Sequence, residues 1–245
     1  MQPSLFISHG SPMLALTPGP ARTFLQQLGQ QLHPTAIVVI SAHWTTNTLQ
    51  VSVSAEPETL HDFYGFPAAL YAQRYPAPGA PELAAQISTL TGATSIERGF
   101  DHGVWVPLSL LRPAADRPVV SVSLPVSWSS EALLTLGEQL APLREQGVLV
   151  IGSGNLTHNL GALAPEGSAA PAWVNAFNDW VAAALARNDK AALLDWSQAP
   201  YARANHPTAE HLQPLLVAMG AGGVPKRLHH SISHGVLAMD CYAFS

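Results

Sequence analysis

The segment Ala36–Trp44, AIVVISAHW, ends a run of apolar, mostly β-branched residues with a histidine and a tryptophan. Five of its first six residues are Ala, Ile or Val. Such runs are typical of strands buried on both faces, as in a parallel sheet that helices cover on each side. The segment therefore predicts a central strand, with His43 at the point where the strand emerges from the core.

Similar apolar runs recur along the chain and alternate with segments of helical spacing. The runs that predict strands are SLFIS, AIVVISA, LQVSVSA, PVVSVSL, GVLVIGSG and, as a closing strand, HGVLAMDCYAF. Helical spacing marks GPARTFLQQLGQQL, PELAAQISTL, SEALLTLGEQLAPLREQG, PAWVNAFNDWVAAALARN and TAEHLQPLLVAMGAGG, the last with Thr208 as N-cap. The alternation predicts an α/β fold: a single domain, 1–245, whose mostly parallel or mixed central sheet is flanked by helices.

The composition argues against several kinds of partner. Hydrophobic residues make up 47% of the 245 and charged residues 11%, which is enough apolar surface for one sizeable core. The net charge is −5 and the 11 Lys and Arg residues are scattered, so we expect neither nucleic acid nor a membrane surface as partner. A single cysteine, Cys241, excludes an internal disulfide. The N-terminal residues lack the pattern of a secretory signal, and we expect a cytoplasmic protein.

Histidine is frequent, with 11 residues, and three of them follow apolar strands. His9 follows LFIS, His43 follows IVVISA and His158 follows VLVIGSGNLT. In α/β proteins, ligands bind in the crevice outside the carboxyl ends of such strands. A fourth, His211, lies near Pro214, which should distort the helix predicted from Thr208. Any one of them alone is more often a structural residue, but their shared placement predicts a metal site with open coordination positions.

The remaining candidates carry weaker signals. His61 in HDFYGFP and His102 in GFDHGVW each lie in a predicted loop beside an acid, where an ordering hydrogen bond is an equally good explanation. Trp44 and Trp105 either wall an aromatic pocket or pack the core. Other chemistries fit less well, because the chain has no P-loop lysine, no complete dinucleotide fingerprint, no G-x-S-x-G elbow and no H-E-x-x-H helix.

Seven motifs occur in a characteristic order: LFISHGSPM, VVISAHW, HDFYGFPAALY, YPAPG, GFDHGVWVPL, GSGNLTHNL and PTAEHLQPLL. In order and spacing they resemble the extradiol aromatic ring-opening dioxygenases of the DOPA-dioxygenase type, relatives of the catalytic subunit of protocatechuate 4,5-dioxygenase. The resemblance spans nearly the whole chain. It implies a mononuclear site in which His9, His43 and His211 hold the metal and His158 is the acid/base catalyst or a fourth ligand.

The same resemblance implies that His102 lines the substrate pocket, and we count it as both catalytic and substrate-binding. We add His61, Trp44 and Trp105 as expected substrate-binding residues. More distant relatives use a carboxylate as third ligand, which makes Glu210 the alternative to His211.

The expected activity is insertion of O2 into a catechol, with DOPA as candidate substrate and a muconic semialdehyde as product. One divalent ion per chain is expected, Fe(II) for activity and Zn(II) in the protein as purified, in a monomer or small homo-oligomer. Imidazole suits zinc and Fe(II) alike, so a zinc hydrolase and a metal-containing interaction protein are the alternatives. Few cations lie near the motifs, which predicts that a carboxylate on the ring is disfavoured unless Arg203 folds over the site.

Overall fold

The computed structural model describes the whole chain, from Met1 to Ser245. Its strands are β1 (Ser4–Ser8), β2 (Ala36–Thr46), β3 (Gln50–Ser52), β4 (Thr94–Ile96), β5 (Val119–Pro125), β6 (Val148–Gly154), β7 (Pro225–His229), β8 (Ile232–Ser233), β9 (Leu237–Ala238) and β10 (Cys241–Phe244). Its helices are α1 (Pro20–Gln31), α2 (Ala68–Tyr71), α3 (Pro81–Thr91), α4 (His102–Leu111), α5 (Ser130–Leu140), α6 (Ala172–Ala186), α7 (Lys190–Leu194), α8 (Ala202–Asn205) and α9 (Gln213–Ala221). No helix combines the length and the apolar character needed to span a membrane.

Eight strands form one mixed sheet in the order β4-β3-β5-β2-β6-β1-β10-β7. The central strands β5, β2, β6 and β1 run parallel, and β10 pairs with β1 in the antiparallel sense. The predicted single-domain α/β fold with a mixed central sheet is confirmed. Because the four parallel strands end at one edge of the sheet, the segments that follow them converge there.

Strand β2 explains how the two faces of the sheet are covered. Its residues Val38 and Ile40 belong to one core cluster, whereas Ile37 and Val39 belong to the other, and all four are fully buried. Helices α3, α5, α6 and α9 contribute to the first cluster, and α1 and α4 to the second. Apolar contact on both faces accounts for the uninterrupted hydrophobic run at residues 36–40.

The strand containing His43 is longer than predicted. Strand β2 continues through His43 to Thr46, and its register against β5 shifts between Ile40 and Thr45. His43 therefore lies within an irregular strand rather than after its end. The irregularity turns the side chain toward the cavity at the sheet edge, since local register shifts re-aim side chains.

The prediction that a helix starts at Thr208 is wrong for the first turn. Residues 207–212 form turns, and α9 begins only at Gln213, with Pro214 in its first turn. Proline suits that position because its missing N–H has no intrahelical partner there. The Thr208 hydroxyl donates to Glu210 Oε1 at 3.0 Å instead of capping the helix.

The loop predicted around GFDHGVW is also wrong, because His102 begins helix α4, with Asp101 as N-cap. Nine of the ten residues of α4 are buried. A helix enclosed on all sides has no polar face, so its sequence lacks the apolar-polar period by which a surface helix is identified.

Glycines in β6 allow the segment before α9 to approach the sheet closely. A Cβ at Gly152 would lie 2.1 Å from the carbonyl oxygen of Pro214, and one at Gly154 would lie 2.1 Å from that of His211. The backbone amide of Asn155 also donates to the His211 carbonyl at 2.8 Å. Small residues at these positions therefore set the distance between His211 and the sheet.

We predict that Gly152→Ala destabilises the fold by about 1–3 kcal/mol, because the added methyl must displace the backbone at Pro214. Urea unfolding measures the change. Gly19→Ala is the control, since a Cβ there meets nothing within 4 Å and should cost less. Equal stability of the two variants would contradict the close-approach argument.

Candidate metal centre and active site

Three predicted metal ligands, His9, His43 and His211, come together at the carboxyl edge of the sheet. The Nε2 atoms of His9 and His43 are 3.0 Å apart, and those of His43 and His211 are 3.2 Å apart. His9 is 1% exposed and His211 4%. Residues separated by up to about two hundred positions along the chain thus present ring nitrogens to one small volume.

The other ring nitrogen of His9 determines its tautomer. The Ser153 hydroxyl donates to the carbonyl oxygen of Gly103 in a short hydrogen bond, so its oxygen must accept from His9 Nδ1, at 3.0 Å. With its proton on Nδ1, His9 presents an Nε2 lone pair to the cluster. Metal-binding histidines are commonly oriented in this way by a partner of the second nitrogen.

His211 is oriented by its neighbour, Glu210. Nδ1 of His211 donates to Glu210 Oε1 at 3.0 Å, which leaves its Nε2 lone pair facing His43. Burial disfavours the charged carboxylate, but the hydrogen bond from His211 prevails and lowers the pKa of Glu210 to about 2. Glu210, the alternative metal ligand, is thus engaged as the carboxylate partner of His211.

These contacts fit a shared metal ion better than mutual hydrogen bonds. His9 and His211 each carry their ring proton on Nδ1, so neither can donate from Nε2 to His43. A proton on His43 Nε2 could form a hydrogen bond to only one of the two neighbouring Nε2 atoms. Two imidazole nitrogens bound to one ion at about 2.1 Å, at an angle of roughly 90–100°, are separated by ~3.0–3.2 Å. The observed 3.0 and 3.2 Å match this separation. The site can therefore hold a divalent ion that prefers nitrogen donors.

Asp62 connects His43 to a further imidazole, that of His102, and was not identified from the sequence. Its carboxylate accepts from the backbone N–H and from Nδ1 of His102, both at 2.9 Å, and lies 3.7 Å from His43 Nδ1. Burial opposes ionisation, but the bonds from His102 lower the pKa of Asp62 overall. The available signal was an acid next to His61 in HDFYGFP. Ser153 was missed too, although a serine between glycines in an apolar strand marks a polar contact.

His158 and His102 contact different members of the three-histidine cluster. The His158 ring stacks on His211 with centroids 3.4 Å apart, and the His102 ring lies 3.7 Å from that of His43. Burial, with the neighbouring His211 and His206, lowers the pKa of His158 to about 3. Burial likewise lowers the pKa values of His9, His43 and His211. These rings are therefore neutral near pH 7 and present lone pairs rather than positive charges.

A cavity of about 940 Å³ opens beside the cluster. Its walls include apolar side chains, and no Lys or Arg lines it. The lining residues are Gly10, Ser11, Pro12, Met13, Ala42, His43, Thr45, Asp62, Phe63, Tyr64, Phe66, His102, Val126, His158, Leu160, Leu163, Glu210, His211, His234 and Leu237. The cavity combines apolar walls with a polar, histidine-rich floor, which is typical of sites for small molecules.

Three expected substrate-binding residues do not line this cavity. Trp44 is 5% exposed and packs under the Arg98 guanidinium, 4.9 Å from the ring centroid. Trp105 is 1% exposed and donates to the carbonyl oxygen of Leu60. His61 contacts the carbonyl oxygen of Gln73. The strand and helix that carry the tryptophans direct their side chains into the core. Phe63 and Phe66 form the aromatic wall of the cavity instead.

A family model and several named proteins match this chain over most of its length. Residues 3–244 match the family described as the catalytic LigB subunit of aromatic ring-opening dioxygenase. A relative from Beta vulgaris, named 4,5-DOPA dioxygenase extradiol, is 39% identical over 99% of this chain and 96% of its own. A second relative of the same name, from Escherichia coli K12, is 39% identical over 89% of this chain and 84% of its own.

The fold is similar to that of a solved structure. The crystal structure of an uncharacterized protein from Escherichia coli K12 superposes with a TM-score of 0.85 and 33% sequence identity, covering 100% of both chains.

Ser153→Ala should weaken divalent-metal binding about 10–100-fold, because removal of a partner of the second ring nitrogen lets the His9 proton move to Nε2. Competitive titration of zinc with a chromophoric chelator measures the affinity. Ser121→Ala is the matched control: Ser121 is a buried serine of the same sheet whose hydroxyl has no hydrogen-bond partner. Equal affinity of both variants would show that Ser153 does not orient a metal ligand.

Proposed function

This chain belongs to the family of the catalytic LigB subunit of aromatic ring-opening dioxygenases, as its motifs indicate, and we propose that it is an Fe(II)-dependent enzyme acting on DOPA or a closely related catechol. Its class is that of the extradiol ring-cleaving dioxygenases. The observation that carries the proposal is the convergence of the Nε2 atoms of His9, His43 and His211 beside a cavity with aromatic walls.

His9, His43 and His211 are the proposed iron ligands. These three side chains would hold the ion, which when bound would supply the Lewis-acid and redox chemistry that brings a catechol and O2 to react. The chain supplies the orientation of these ligands through Ser153 and Glu210. Neutral imidazoles are required for this, and burial provides them.

His158 is the proposed acid/base group. Its ring is stacked on His211 and lines the cavity, so a substrate hydroxyl held close to His211 lies within reach of it. A neutral ring accepts the hydroxyl proton as the catechol binds and returns a proton as the ring opens. His102, whose Nδ1 donates to the Asp62 carboxylate, is the proposed positioning group for the substrate oxygens.

The apolar walls set which rings can enter. Phe63 and Phe66 contact each other with ring centroids 5.1 Å apart, and both line the cavity with Leu237. Aromatic faces and edges of this kind bind an aromatic substrate ring favourably. A carboxylate directly on the ring would lie among Asp62, Glu210 and apolar groups without a cationic partner.

Anaerobic loading with Fe(II) should give an enzyme that consumes O2 with DOPA and forms a yellow ring-opened product. Loading with zinc should give no O2 uptake, because zinc has no accessible redox state. His43→Ala should bind neither ion stoichiometrically, whereas His33→Ala, an exposed histidine, should bind both. Ester or amide hydrolysis by the zinc form without oxygenation by the iron form would instead establish a hydrolase.

For His158→Gln we expect retention of iron and a ~10²–10⁴-fold loss of kcat, as is typical for removal of a positioned acid/base group. Iron content and steady-state turnover of DOPA are measured on the same sample. Loss of iron from this variant would make His158 a ligand rather than an acid/base group.

DOPA and 4-methylcatechol should have higher kcat/KM values than protocatechuate, whose carboxylate is attached directly to the ring. Steady-state comparison by product absorbance tests this. Arg203 is exposed on α8 and does not line the cavity, so Arg203→Ala should leave the preference unchanged. A preference for protocatechuate that Arg203→Ala abolishes would contradict the assignment.

A further inference from the structure

His43 differs from the other two proposed metal ligands in what orients its ring. His9 and His211 each hydrogen-bond a neighbouring side chain through Nδ1, both at 3.0 Å. The Asp62 carboxylate lies 3.7 Å from His43 Nδ1, which is too far for a hydrogen bond. The direction of the His43 ring therefore depends on how its backbone is held.

The backbone around His43 leaves the regular pairing of strand β2. Pairing with β5 is interrupted between Ile40 and Thr45, and pairing with β6 ends at Ser41. Peptide groups in such a stretch need other partners, because buried backbone groups are almost always hydrogen-bonded. The His43 N–H donates to Ser41 Oγ at 3.1 Å. The position of His43 thus depends on side-chain contacts as well as on the strand ladder.

Two charged residues just before α4, Arg98 and Asp101, hold this stretch. Asp101 Oδ1 accepts from the Ser41 hydroxyl at 2.6 Å, and Asp101 Oδ2 lies 3.4 Å from Arg98 Nη2. The same Nη2 lies 3.5 Å from the His43 carbonyl oxygen, and the guanidinium lies over the Trp44 ring at 4.9 Å. The pair therefore reaches His43 from two sides: its N–H through Ser41 and its carbonyl through Arg98.

The Arg98–Asp101 pair is itself fixed to the fold. Asp101 is 0% exposed and is the N-cap residue of α4. The Arg98 backbone N–H donates to Ser54 Oγ at 2.9 Å, and its carbonyl oxygen accepts from the Ser52 hydroxyl of β3 at 2.7 Å. Because these anchors belong to α4 and to the segment of β3, the pair ties the position of His43 to two other elements.

We propose that Arg98 and Asp101 are positioning residues for His43, so that the affinity of the site for a divalent ion depends on this pair although neither residue is among the proposed ligands. The inference rests on the proposed function, in which His43 is a metal ligand. By contacting both peptide groups of His43, the pair restricts the backbone at the irregular stretch. Residues that orient metal ligands without binding the ion raise its affinity in this way.

Asp101→Asn and Arg98→Met test the pair. Asparagine keeps an oxygen for the Ser41 hydroxyl but loses the charge that faces Arg98. Methionine keeps an unbranched stem over Trp44 but loses the guanidinium. We expect each variant to weaken zinc binding about tenfold, at the lower end of the effect of residues that orient ligands. Competitive titration with a chromophoric chelator measures the affinity, and parent-like affinity in both variants would overturn the proposal.

Matched controls break a second ion pair with a buried carboxylate, that of Asp240 and Arg227. Asp240 is also 0% exposed, and Arg227 Nε donates to its Oδ1 at 2.7 Å. Asp240→Asn and Arg227→Met should lower the urea midpoint of unfolding, as the two test variants do, because each removes one partner of a buried ion pair. Their zinc affinity should equal that of the parent protein. A tenfold loss in these controls as well would reduce the effect to lost stability and overturn the proposal.

Cobalt(II) in place of zinc gives a readout that lost stability alone does not change, because its visible absorption depends on the number and geometry of its ligands. At full cobalt occupancy, the spectra of Asp101→Asn and Arg98→Met should differ from that of the parent protein, whereas the control spectra should coincide with it. Arg98→Lys is a milder change at a side chain that is 27% exposed, and it serves where a test variant does not fold. Lysine lacks the planar fork that reaches two acceptors, so this variant should also bind zinc more weakly than the parent.

A double-variant cycle separates positioning of His43 from a general effect on the site. In the His43→Ala background, Arg98→Met should not change the residual zinc affinity further, because no ring remains to be positioned. A full additional tenfold loss would contradict the proposal. Zinc binding needs no turnover, so an iron-loaded parent protein that consumes no O2 would refute the proposed function, while these affinities still decide the role of the Arg98–Asp101 pair.

Discussion

The site depends on one constraint: imidazole lone pairs must converge without protons between them. His9 and His211 meet it because Ser153 and Glu210 occupy the opposite ring nitrogens. His43 Nε2 lies 3.0 Å from His9 Nε2 and 3.2 Å from His211 Nε2. Without a cation, the lone pairs on these atoms repel one another, and a proton on His43 Nε2 would relieve only one of the two contacts. The fold must therefore hold the rings in place, and a bound ion relieves the repulsion, which links metal affinity to the rigidity of the surrounding elements.

That rigidity comes from close backbone packing. The His211 turn lies against β6 because Gly152 and Gly154 have no side chain to keep it away. Gly103 has a similar role at the start of α4, where a Cβ would lie 2.4 Å from Ser41 Oγ and 3.2 Å from the His43 ring. Interiors packed at this density change little when a ligand binds, so the ligand geometry is largely preformed.

Charge is distributed unevenly between the floor and the walls of the cavity. At the floor, burial lowers the pKa values of His9, His43, His158 and His211, and the two carboxylates there are each bound to an imidazole. The walls are apolar and lack Lys and Arg. The fold thus offers an aromatic ring apolar walls and gathers the imidazoles and the carboxylates Asp62 and Glu210 at the floor.

The sequence by itself determined the α/β class, the central strands and the family, because buried strands need contiguous apolar residues and the seven motifs keep their order. It also singled out His9, His43, His158 and His211, of which His9 and His158 follow the carboxyl ends of β1 and β6. Only the tertiary structure decided which residues support them. Ser153 and Asp62 act through hydrogen bonds to residues far away in the chain, and the local sequence can mark such a residue but does not identify its partner.

The predictions that failed concern features that depend on packing between distant parts of the chain. Helix α4 is enclosed on all sides and so lacks an amphipathic period, and the start of α9 is set by Pro214 and by packing against β6 rather than by Thr208. Trp44 and Trp105 lie next to site residues in sequence, but successive side chains of a strand or helix point in different directions. The sequence specifies which residues are neighbours along the chain, whereas the burial of each side chain is decided by elements that fold against it from elsewhere.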